Sequence, residues 1–166
     1  DFCAKGILDC IGKGGNAVTT EVTGQTKKDI WKFLKANGFT DVAAAGLMAN
    51  MQQESGFDTT AVQDHPEMNA MDPPEYCTEA DEGAHAYGLC QWTGSRLRKL
   101  VAFAQSKGKP AGDLMTQLEF MITEAKESYG GVIEHINAAD DPADAAGVWL
   151  SEYEGAGVEG NRREYA

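Results

Sequence analysis

The fold of this chain is decided by one stretch, Asp41-Val42-Ala43-Ala44-Ala45-Gly46-Leu47-Met48-Ala49-Asn50-Met51-Gln52-Gln53-Glu54-Ser55-Gly56. Thr40 directly precedes it, and threonine is a favoured helix N-cap. From Val42 to Met51 the stretch contains one polar residue, Asn50, so a helix formed here is apolar on all sides. Helices of that kind are buried. The sequence therefore predicts a central helix from Asp41 to about Glu54, ending at Ser55-Gly56.

Helical periodicity on either side of this stretch predicts a mainly α domain of the α+β class. A first helix is predicted from an N-cap at Thr26 to Asn37-Gly38. Later helices are predicted over residues 93–107, 113–128 and 141–155, with a short apolar segment over 132–136. Residues 1–25 are rich in glycine and are predicted to be a linker or an appended cysteine loop. Residues 26–166 are predicted to form one domain around one core.

Residues 57–92 interrupt the helices. They contain Pro66, Pro73 and Pro74 and show no helical period, so they predict loops with a small β-hairpin before Cys90. Seven acidic residues and no Lys or Arg fall within residues 64–82, which accounts for much of the net charge of −12. Nucleic acid and anionic membranes are unfavourable partners for such a chain. No run of about 20 apolar residues is present to span a membrane.

The four cysteines form two local pairs, Cys3/Cys10 and Cys77/Cys90. Neither pair has zinc-site spacing, and an even count of nearby cysteines favours disulfides and an extracellular setting, although free thiols in a cytosolic chain are the alternative. The chain begins at Asp1, which suggests a processed product or a piece of a longer protein. A metal site is not predicted, because the candidate ligands lack helical ligand spacing: Asp64, His65, Glu67 and His85. No cofactor is predicted either.

Glu54 is the first candidate for chemistry. It follows Met51 by three residues, so it shares the apolar face at the carboxyl end of the central helix. The negative end of the helix dipole and apolar surroundings both disfavour an ionised carboxyl. That environment suits a general acid that works near neutral pH. The alternative interpretation is a solvated residue on the last helical turn.

Three blocks of sequence carry a resemblance to a known family. They are Glu54-Ser55-Gly56-Phe57, then Ala86-Tyr87-Gly88-Leu89-Cys90-Gln91-Trp92-Thr93-Gly94 with Arg96, then Trp149 with Tyr153-Glu154-Gly155. In this order they resemble the phage tail-type lysozyme domains, over about residues 26–155. More distantly they are similar to goose-type lysozymes and lytic transglycosylases. The resemblance implies a lysozyme-like fold whose irregular insertion forms one wall of a cleft.

The resemblance also implies a site. Glu54 would be the catalytic acid that protonates the glycosidic oxygen of peptidoglycan, between N-acetylmuramic acid and N-acetylglucosamine. Gln91 and Tyr153 would line the cleft, Tyr87 and Trp92 would stack on sugar faces, and Ser55 would lie beside the acid. Structural roles are the alternatives: Ser55 as a helix cap, Gln91 as a polar plug for loop backbone, Trp92 as cleft wall and Tyr153 as a core aromatic.

A second catalytic carboxylate is not identified by the sequence. Retaining and inverting glycosidases need one, whereas lytic transglycosylases use the substrate's acetamido group. The candidates are all acidic residues of the insertion: Asp58, Asp64, Asp72, Glu75, Glu79, Asp81 and Glu82. The alternatives to hydrolysis are therefore transglycosylation, which leaves anhydromuramyl ends, and a non-catalytic module that binds the glycan strands. Because peptidoglycan and teichoic acids are anionic, a separate tethering domain is expected to supply wall affinity at an extracellular location.

Overall fold

The computed structural model describes residues 17–155, with side chains from residue 24 onward. The α-helices are α1 (Ala17–Ala36), α2 (Asp41–Ser55), α3 (Glu75–Thr78), α4 (Gly94–Ser106), α5 (Leu114–Ser128), α6 (Val132–Asn137) and α7 (Pro142–Trp149). A 3₁₀ turn covers Pro66–Met68, and a π-helical turn, Leu150–Glu154, continues α7. The described part of the chain is mainly helical, as predicted, with one irregular segment between the helices, which is consistent with the fold that the resemblance implies.

Helix α2 forms as predicted and lies at the centre of the core. The Thr40 side chain accepts a hydrogen bond of 3.0 Å from the Ala43 backbone amide. Gly56 ends the helix with a φ of 60°, and its amide donates to the Gln52 carbonyl at 2.9 Å. Eight residues of the helix are buried: Ala43, Ala44, Ala45, Gly46, Leu47, Met48, Asn50 and Met51. Burial on every side explains why the sequence has no amphipathic period here.

Helix α7 packs closely along α2 at two positions. A Cβ atom at Gly46 would lie 2.6 Å from the Pro142 carbonyl oxygen and 2.7 Å from the Ala146 nitrogen, so only glycine fits against that backbone. One turn further along, the buried Asn50 side chain donates to the Ala146 carbonyl at 2.9 Å. The one polar residue of the apolar stretch thus fastens α2 to α7, and it satisfies a polar group that would otherwise be costly to bury.

Helices α5 and α7 each begin after a capping aspartate. Asp113 accepts from the Thr116 amide at 3.1 Å, and Asp141 accepts from the Asp144 amide at 2.8 Å, with Pro142 at the first helical position. Side-chain oxygens that accept from free amides in the first turn are what define an N-cap. The short apolar segment over 132–136 is helix α6, whose Asn137 links the Gly38 carbonyl to the Thr40 amide.

The insertion over residues 57–92 is irregular, with isolated β-bridges joining Val62 to Tyr87 and Tyr87 to Trp92. It is held by Gln117 of α5, a fully buried side chain. The Gln117 Nε2 donates to the Thr59 and Ala111 carbonyls at 2.7 and 2.8 Å, and its Oε1 accepts from the Leu89 amide at 2.9 Å. One side-chain amide therefore bonds backbone polar groups of three loop segments. Because these groups are satisfied, a segment with little regular structure can pack against the core.

Two helix boundaries differ from the prediction. The first helix begins at Ala17, so it includes the Thr26 position predicted as its N-cap and part of the region predicted as linker. The long predicted helix over 141–155 is α-helical only to Trp149 and then widens into the π turn. Short-range sequence signals do not predict either difference. Thr26 resembles an N-cap but lies inside the helix, and no residue pattern marks a π turn. Within the described residues, no helix is long and apolar enough to cross a membrane.

Two glycine-to-alanine substitutions test the contact between α2 and α7. Gly46→Ala should lower the free energy of unfolding by about 1–3 kcal/mol, because the new methyl group meets backbone atoms of α7. Gly147→Ala is the matched control on α7 itself, where a Cβ meets nothing within 4 Å. It should leave stability unchanged or raise it by up to about 1 kcal/mol through helix propensity. Urea unfolding of both variants measures this, and equal effects would contradict the proposed close contact.

Candidate active site

The site is built on a short hairpin, residues 87–92, called here the 87–92 hairpin. Tyr87 and Trp92 exchange two backbone hydrogen bonds of 3.0 Å, and the Gln91 amide closes the turn on the Gly88 carbonyl at 3.1 Å. Two turn residues have positive φ angles, Gly88 at 88° and Gln91 at 54°. A Cβ at Gly88 would lie 3.1 Å from the Gln117 side chain, so glycine here serves both the turn and the close approach of Gln117.

The carboxyl end of α2 is joined to this hairpin. Ser55 is the last residue of α2, and its hydroxyl lies within hydrogen-bond distance of the Met51 carbonyl (3.0 Å) and the Leu89 carbonyl (2.9 Å). Glu54 directly precedes Ser55 and is half-buried. Because Ser55 fixes the last helical turn against the hairpin, the backbone that carries Glu54 is rigidly placed. This contact brings the first and second sequence blocks together.

A buried ion pair lies behind the hairpin. Arg96 of α4 reaches Glu124 of α5 with two hydrogen bonds, from Nη2 to Oε1 at 2.7 Å and from Nε to Oε2 at 3.1 Å. Arg96 is 13% and Glu124 6% exposed at the side chain. Burial is the largest single influence and lowers the pKa of Arg96, but the hydrogen bonds to Glu124 together with the negative charges of Tyr153, Glu124 and Tyr129 raise the pKa overall. The guanidinium is therefore charged throughout the range in which proteins fold.

The ion pair organises the third sequence block. The Arg96 Nη1 donates to the Tyr153 carbonyl at 3.1 Å, and the guanidinium lies 4.6 Å from the Tyr153 ring centroid and 4.9 Å from that of Tyr129. The Trp92 indole donates to Glu124 at 3.3 Å and to the Tyr153 hydroxyl at 3.1 Å. The hairpin, α4, α5 and the π turn thus meet in one largely buried hydrogen-bonded network.

Tyr87 and Trp92, expected to stack on sugars, and Tyr153, expected to line the cleft, are all buried in this structure. Tyr87 and Tyr153 have no exposed surface, and Trp92 is 2% exposed. The Tyr87 hydroxyl donates to the Ala70 carbonyl, and Tyr153 stacks on Trp149 with ring centroids 4.1 Å apart. A sugar ring stacks on an exposed aromatic face, and none of the three offers one here. Their geometry matches the structural alternatives: a wall for Trp92 and a core aromatic for Tyr153.

The hydrogen bonds of Gln91 match the alternative stated for it, a polar plug that satisfies loop backbone. Its Nε2 donates to the Ala61 carbonyl at 3.0 Å and to the Gly88 carbonyl at 2.8 Å, so it closes the hairpin from inside. Gln91 is partly exposed, unlike the aromatic residues beside it. The site residues that the structure brings together at the end of α2 are therefore Glu54, Ser55 and the hairpin that contains Gln91.

The predicted Cys77–Cys90 disulfide is not present in the structure. Both residues are free thiols, and both are buried. Cys77 lies in the short helix α3 and Cys90 in the hairpin, where each sulfur fills core volume as a small apolar group. Burial raises the pKa of both thiols, so neither is activated as a nucleophile. Cys3 and Cys10 lie outside the described residues.

Three of the acidic residues considered as a second catalytic carboxylate accept hydrogen bonds from backbone amides. Asp58 accepts from the Thr60 amide at 2.8 Å, Asp72 from the Ala111 amide at 3.4 Å, and Glu82 from the Ser95 amide at 2.7 Å. The hydrogen bonds from Ser95 at the start of α4 lower the pKa of Glu82. All seven candidates are exposed, including the remaining four: Asp64, Glu75, Glu79 and Asp81. Among the described residues, no group of three or more His, Cys, Asp or Glu is placed to hold a metal ion.

Two acidic residues near the site were not among those candidates. Glu124 and Glu154 are both buried, each with 6% exposure. Glu154 belongs to the Tyr153-Glu154-Gly155 block that the sequence analysis singled out, but the sequence did not indicate that it is buried. Glu124 follows Met121 by three residues and Phe120 by four, on the apolar face of its helix. A charged residue on such a face is the signal that points to a buried pair.

The pattern of one protein family matches most of the chain. The description of that family is phage tail lysozyme, and the match covers residues 25–166. It includes α2, the 87–92 hairpin and the π turn.

Removal of the Arg96 charge should be far more damaging than removal of a surface cation. Arg96→Met leaves Glu124 buried and uncompensated, and we expect a loss of about 3–5 kcal/mol in the free energy of unfolding. Lys107→Met is the matched control, because Lys107 pairs with Glu119 at 3.3 Å on the surface. Its loss should be at most about 1 kcal/mol. Chemical denaturation measures both, and a mild Arg96→Met effect would mean that the pair does not hold the core.

Thiol chemistry tests the state of the buried cysteines. In a variant with Cys3 and Cys10 replaced by serine, Cys77 and Cys90 should not react with a thiol reagent while the protein is folded, because both are buried and protonated. Both should react once the protein is unfolded without a reductant. Failure of either to react after unfolding would instead show the disulfide.

Proposed function

The chain belongs to the phage tail lysozyme family, and on that basis we propose that it cleaves the β-1,4 bond between N-acetylmuramic acid and N-acetylglucosamine with Glu54 as the general acid. Membership makes the domain a lysozyme-like, peptidoglycan-lytic cell-wall hydrolase. The cleavage of the β-1,4 bond and the role of Glu54 go beyond family membership and are proposed here. The observation that carries it is the placement of Glu54 at the rigid end of a buried helix, beside the Ser55 contact to the 87–92 hairpin.

The surroundings of Glu54 suit proton donation. It lies at the carboxyl end of α2, where the helix dipole is negative and disfavours a carboxylate. Two buried apolar side chains lie near it in the chain, Met51 one turn before and Phe57 just after the C-cap Gly56, 1% and 4% exposed. A carboxyl in such a place retains its proton near neutral pH more readily than an exposed one. Half-burial still leaves part of the side chain open to a substrate.

In the proposed reaction the Glu54 proton moves to the glycosidic oxygen while the bond from that oxygen to the anomeric carbon breaks. Water then adds its hydroxyl group to the anomeric carbon, and its remaining proton restores the Glu54 carboxyl. Transglycosylation differs in the second half, because the muramic 6-hydroxyl adds to the anomeric carbon instead of water. Proton donation by Glu54 is common to both reactions, and the family match does not distinguish them.

The proposed location is extracellular and associated with the cell wall, since peptidoglycan is the proposed substrate. The chain has a net charge of −12, so long-range attraction to an anionic wall does not contribute to binding. We therefore propose that further domains of the parent protein tether this one to the wall. Glycan strands are the expected partner, and neither a nucleic acid nor a cofactor enters the proposed reaction.

Muropeptide analysis tests the proposed bond and the type of reaction. The protein should release glycan fragments from purified cell walls, and mass spectrometry of their ends identifies the chemistry. Reducing N-acetylmuramic acid ends indicate hydrolysis, whereas anhydro ends indicate a lytic transglycosylase. Binding to walls without release of fragments, at high protein concentration, would contradict the enzymatic proposal and indicate a glycan-binding module.

Glu54→Gln tests the general acid. It keeps the size of the side chain but removes the transferable proton, so the rate of glycan release should fall about 10²–10⁴-fold. The melting temperature should stay the same or rise slightly, because a carboxyl at a helix carboxyl end is unfavourable. The matched control is Asp41→Asn at the other end of α2, where Asp41 pairs with Lys35 on the surface. That control should retain activity. Undiminished lysis by the Glu54 variant would disprove the assignment.

A further inference from the structure

Lys27 of α1 is a buried cation without a bound anion. Its side chain belongs to a residue that is 8% exposed. The other three lysines of the helix are exposed: Lys28, Lys32 and Lys35. Lysine is rarely buried unless an acidic group pairs with it. Within the described side chains, residues 24–155, Lys27 has no hydrogen bond and no ion pair, and the acid nearest in sequence, Asp29, accepts from Gln25 instead.

The Lys27 ammonium lies at the carboxyl end of α2. Its Nζ atom is 5.5 Å from the centroid of the Phe57 ring, and Phe57 directly follows the C-cap Gly56. Phe57 comes three residues after Glu54, so the Cα atoms of these two residues are at most about 11 Å apart. Gly56 and Phe57 have φ angles of 60° and 64°. The second angle is strained for phenylalanine, and such strain is concentrated at ligand and active sites.

The Lys27 ammonium is accessible although its stem is buried. In the same described part of the chain, the side-chain polar atoms that are both fully buried and without a hydrogen-bond partner are the Tyr76 hydroxyl and the Trp149 indole nitrogen. The Lys27 Nζ atom also lacks such a partner, but it is not fully buried. Lysine commonly buries its methylene stem and keeps the charged end at the surface. An anion from outside the protein can therefore reach it.

The protein stabilises this charge only in part. The face of the Phe57 ring attracts a cation, and so does the negative end of the α2 dipole. Neither gives the ammonium, which has three N–H donors, a carboxylate acceptor. Burial lowers the pKa of Lys27, the direction expected of an ammonium that has lost water without gaining a carboxylate. A carboxylate from a ligand would complete the site.

We propose that Lys27 binds a carboxylate carried by a muramic acid residue of the glycan strand, and so selects muramic acid over N-acetylglucosamine near Glu54. Muramic acid differs from glucosamine by a lactyl group, whose carboxyl is either free or linked to a peptide that has carboxylates of its own. A hydrogen bond between two charged groups is stronger than one between neutral groups. This inference rests on the proposed function, because its ligand is the substrate proposed there.

Three soluble tetrasaccharides distinguish the possible sources of the carboxylate. Tetra-N-acetylglucosamine has none. A peptide-free tetrasaccharide of alternating N-acetylglucosamine and N-acetylmuramic acid has lactyl carboxylates, and its peptide-bearing form has peptide carboxylates instead. Isothermal titration calorimetry with the Glu54→Gln variant measures their binding without cleavage. At least one muramic acid ligand should bind about 10–100-fold more tightly than tetra-N-acetylglucosamine. The tighter of the two identifies which carboxylate Lys27 binds.

Lys27→Met and Lys28→Met are then compared in the Glu54→Gln protein. Each removes one positive charge from α1, but Lys28 is exposed. Lys27→Met should weaken binding of the preferred muramic acid ligand about 10–100-fold, because one charged hydrogen bond is lost. It should leave binding of tetra-N-acetylglucosamine unchanged, and Lys28→Met should change neither. An equal loss for all ligands would show that Lys27 only supports the fold. That outcome, or unchanged binding, overturns the inference.

The Glu54→Gln protein with Lys27 intact decides the question if Lys27→Met does not fold. The NMR signals of the Lys27 side chain next to its nitrogen should shift when the preferred muramic acid ligand is added, and not with tetra-N-acetylglucosamine. No shift, or no preference for a muramic acid ligand, overturns the inference. Glycan release by the wild type is measured separately. Carboxylate-dependent binding without any release would contradict the proposed function and not the role of Lys27.

Discussion

The buried ion pair between Arg96 and Glu124 is the interaction on which the rest of the site depends. Its two hydrogen bonds, 2.7 and 3.1 Å long, join α4 to α5, and the third guanidinium bond reaches the backbone of Tyr153. Through Glu124 and Tyr153 the pair also orients the Trp92 indole. A pair so poorly hydrated contributes little net stability compared with apolar packing, but it tolerates few alternative arrangements. It therefore determines where the hairpin and the π turn meet.

A second constraint comes from amides that replace regular secondary structure. Gln117 and Gln91 each bond backbone carbonyls of the irregular insertion, and Asn50 bonds a carbonyl of helix α7. This explains how an acidic insertion with three prolines can form one side of a packed site. The aromatic residues of the second and third sequence blocks, Tyr87, Trp92 and Tyr153, likewise support the backbone from within.

The cysteines illustrate the same distinction. Spacing favoured a disulfide between Cys77 and Cys90, yet each thiol is buried in its own part of the core. Cys90 instead lies among charged groups, where Glu154 has the largest electrostatic effect on it and Glu54 a smaller one.

The sequence by itself determined the helices, because their signals are local: the apolar run of α2 and the caps Thr40, Asp113 and Asp141 act within a few residues of chain. It also identified Glu54 and the order of the three blocks that mark the family. The early start of α1, the π turn and the free thiols were decided by tertiary structure. So were the burial of Tyr87 and the pairing of Arg96 with Glu124, since these depend on contacts between residues far apart in the chain. Local propensity carries no information about such contacts, and close packing chooses among the burial patterns that a sequence allows.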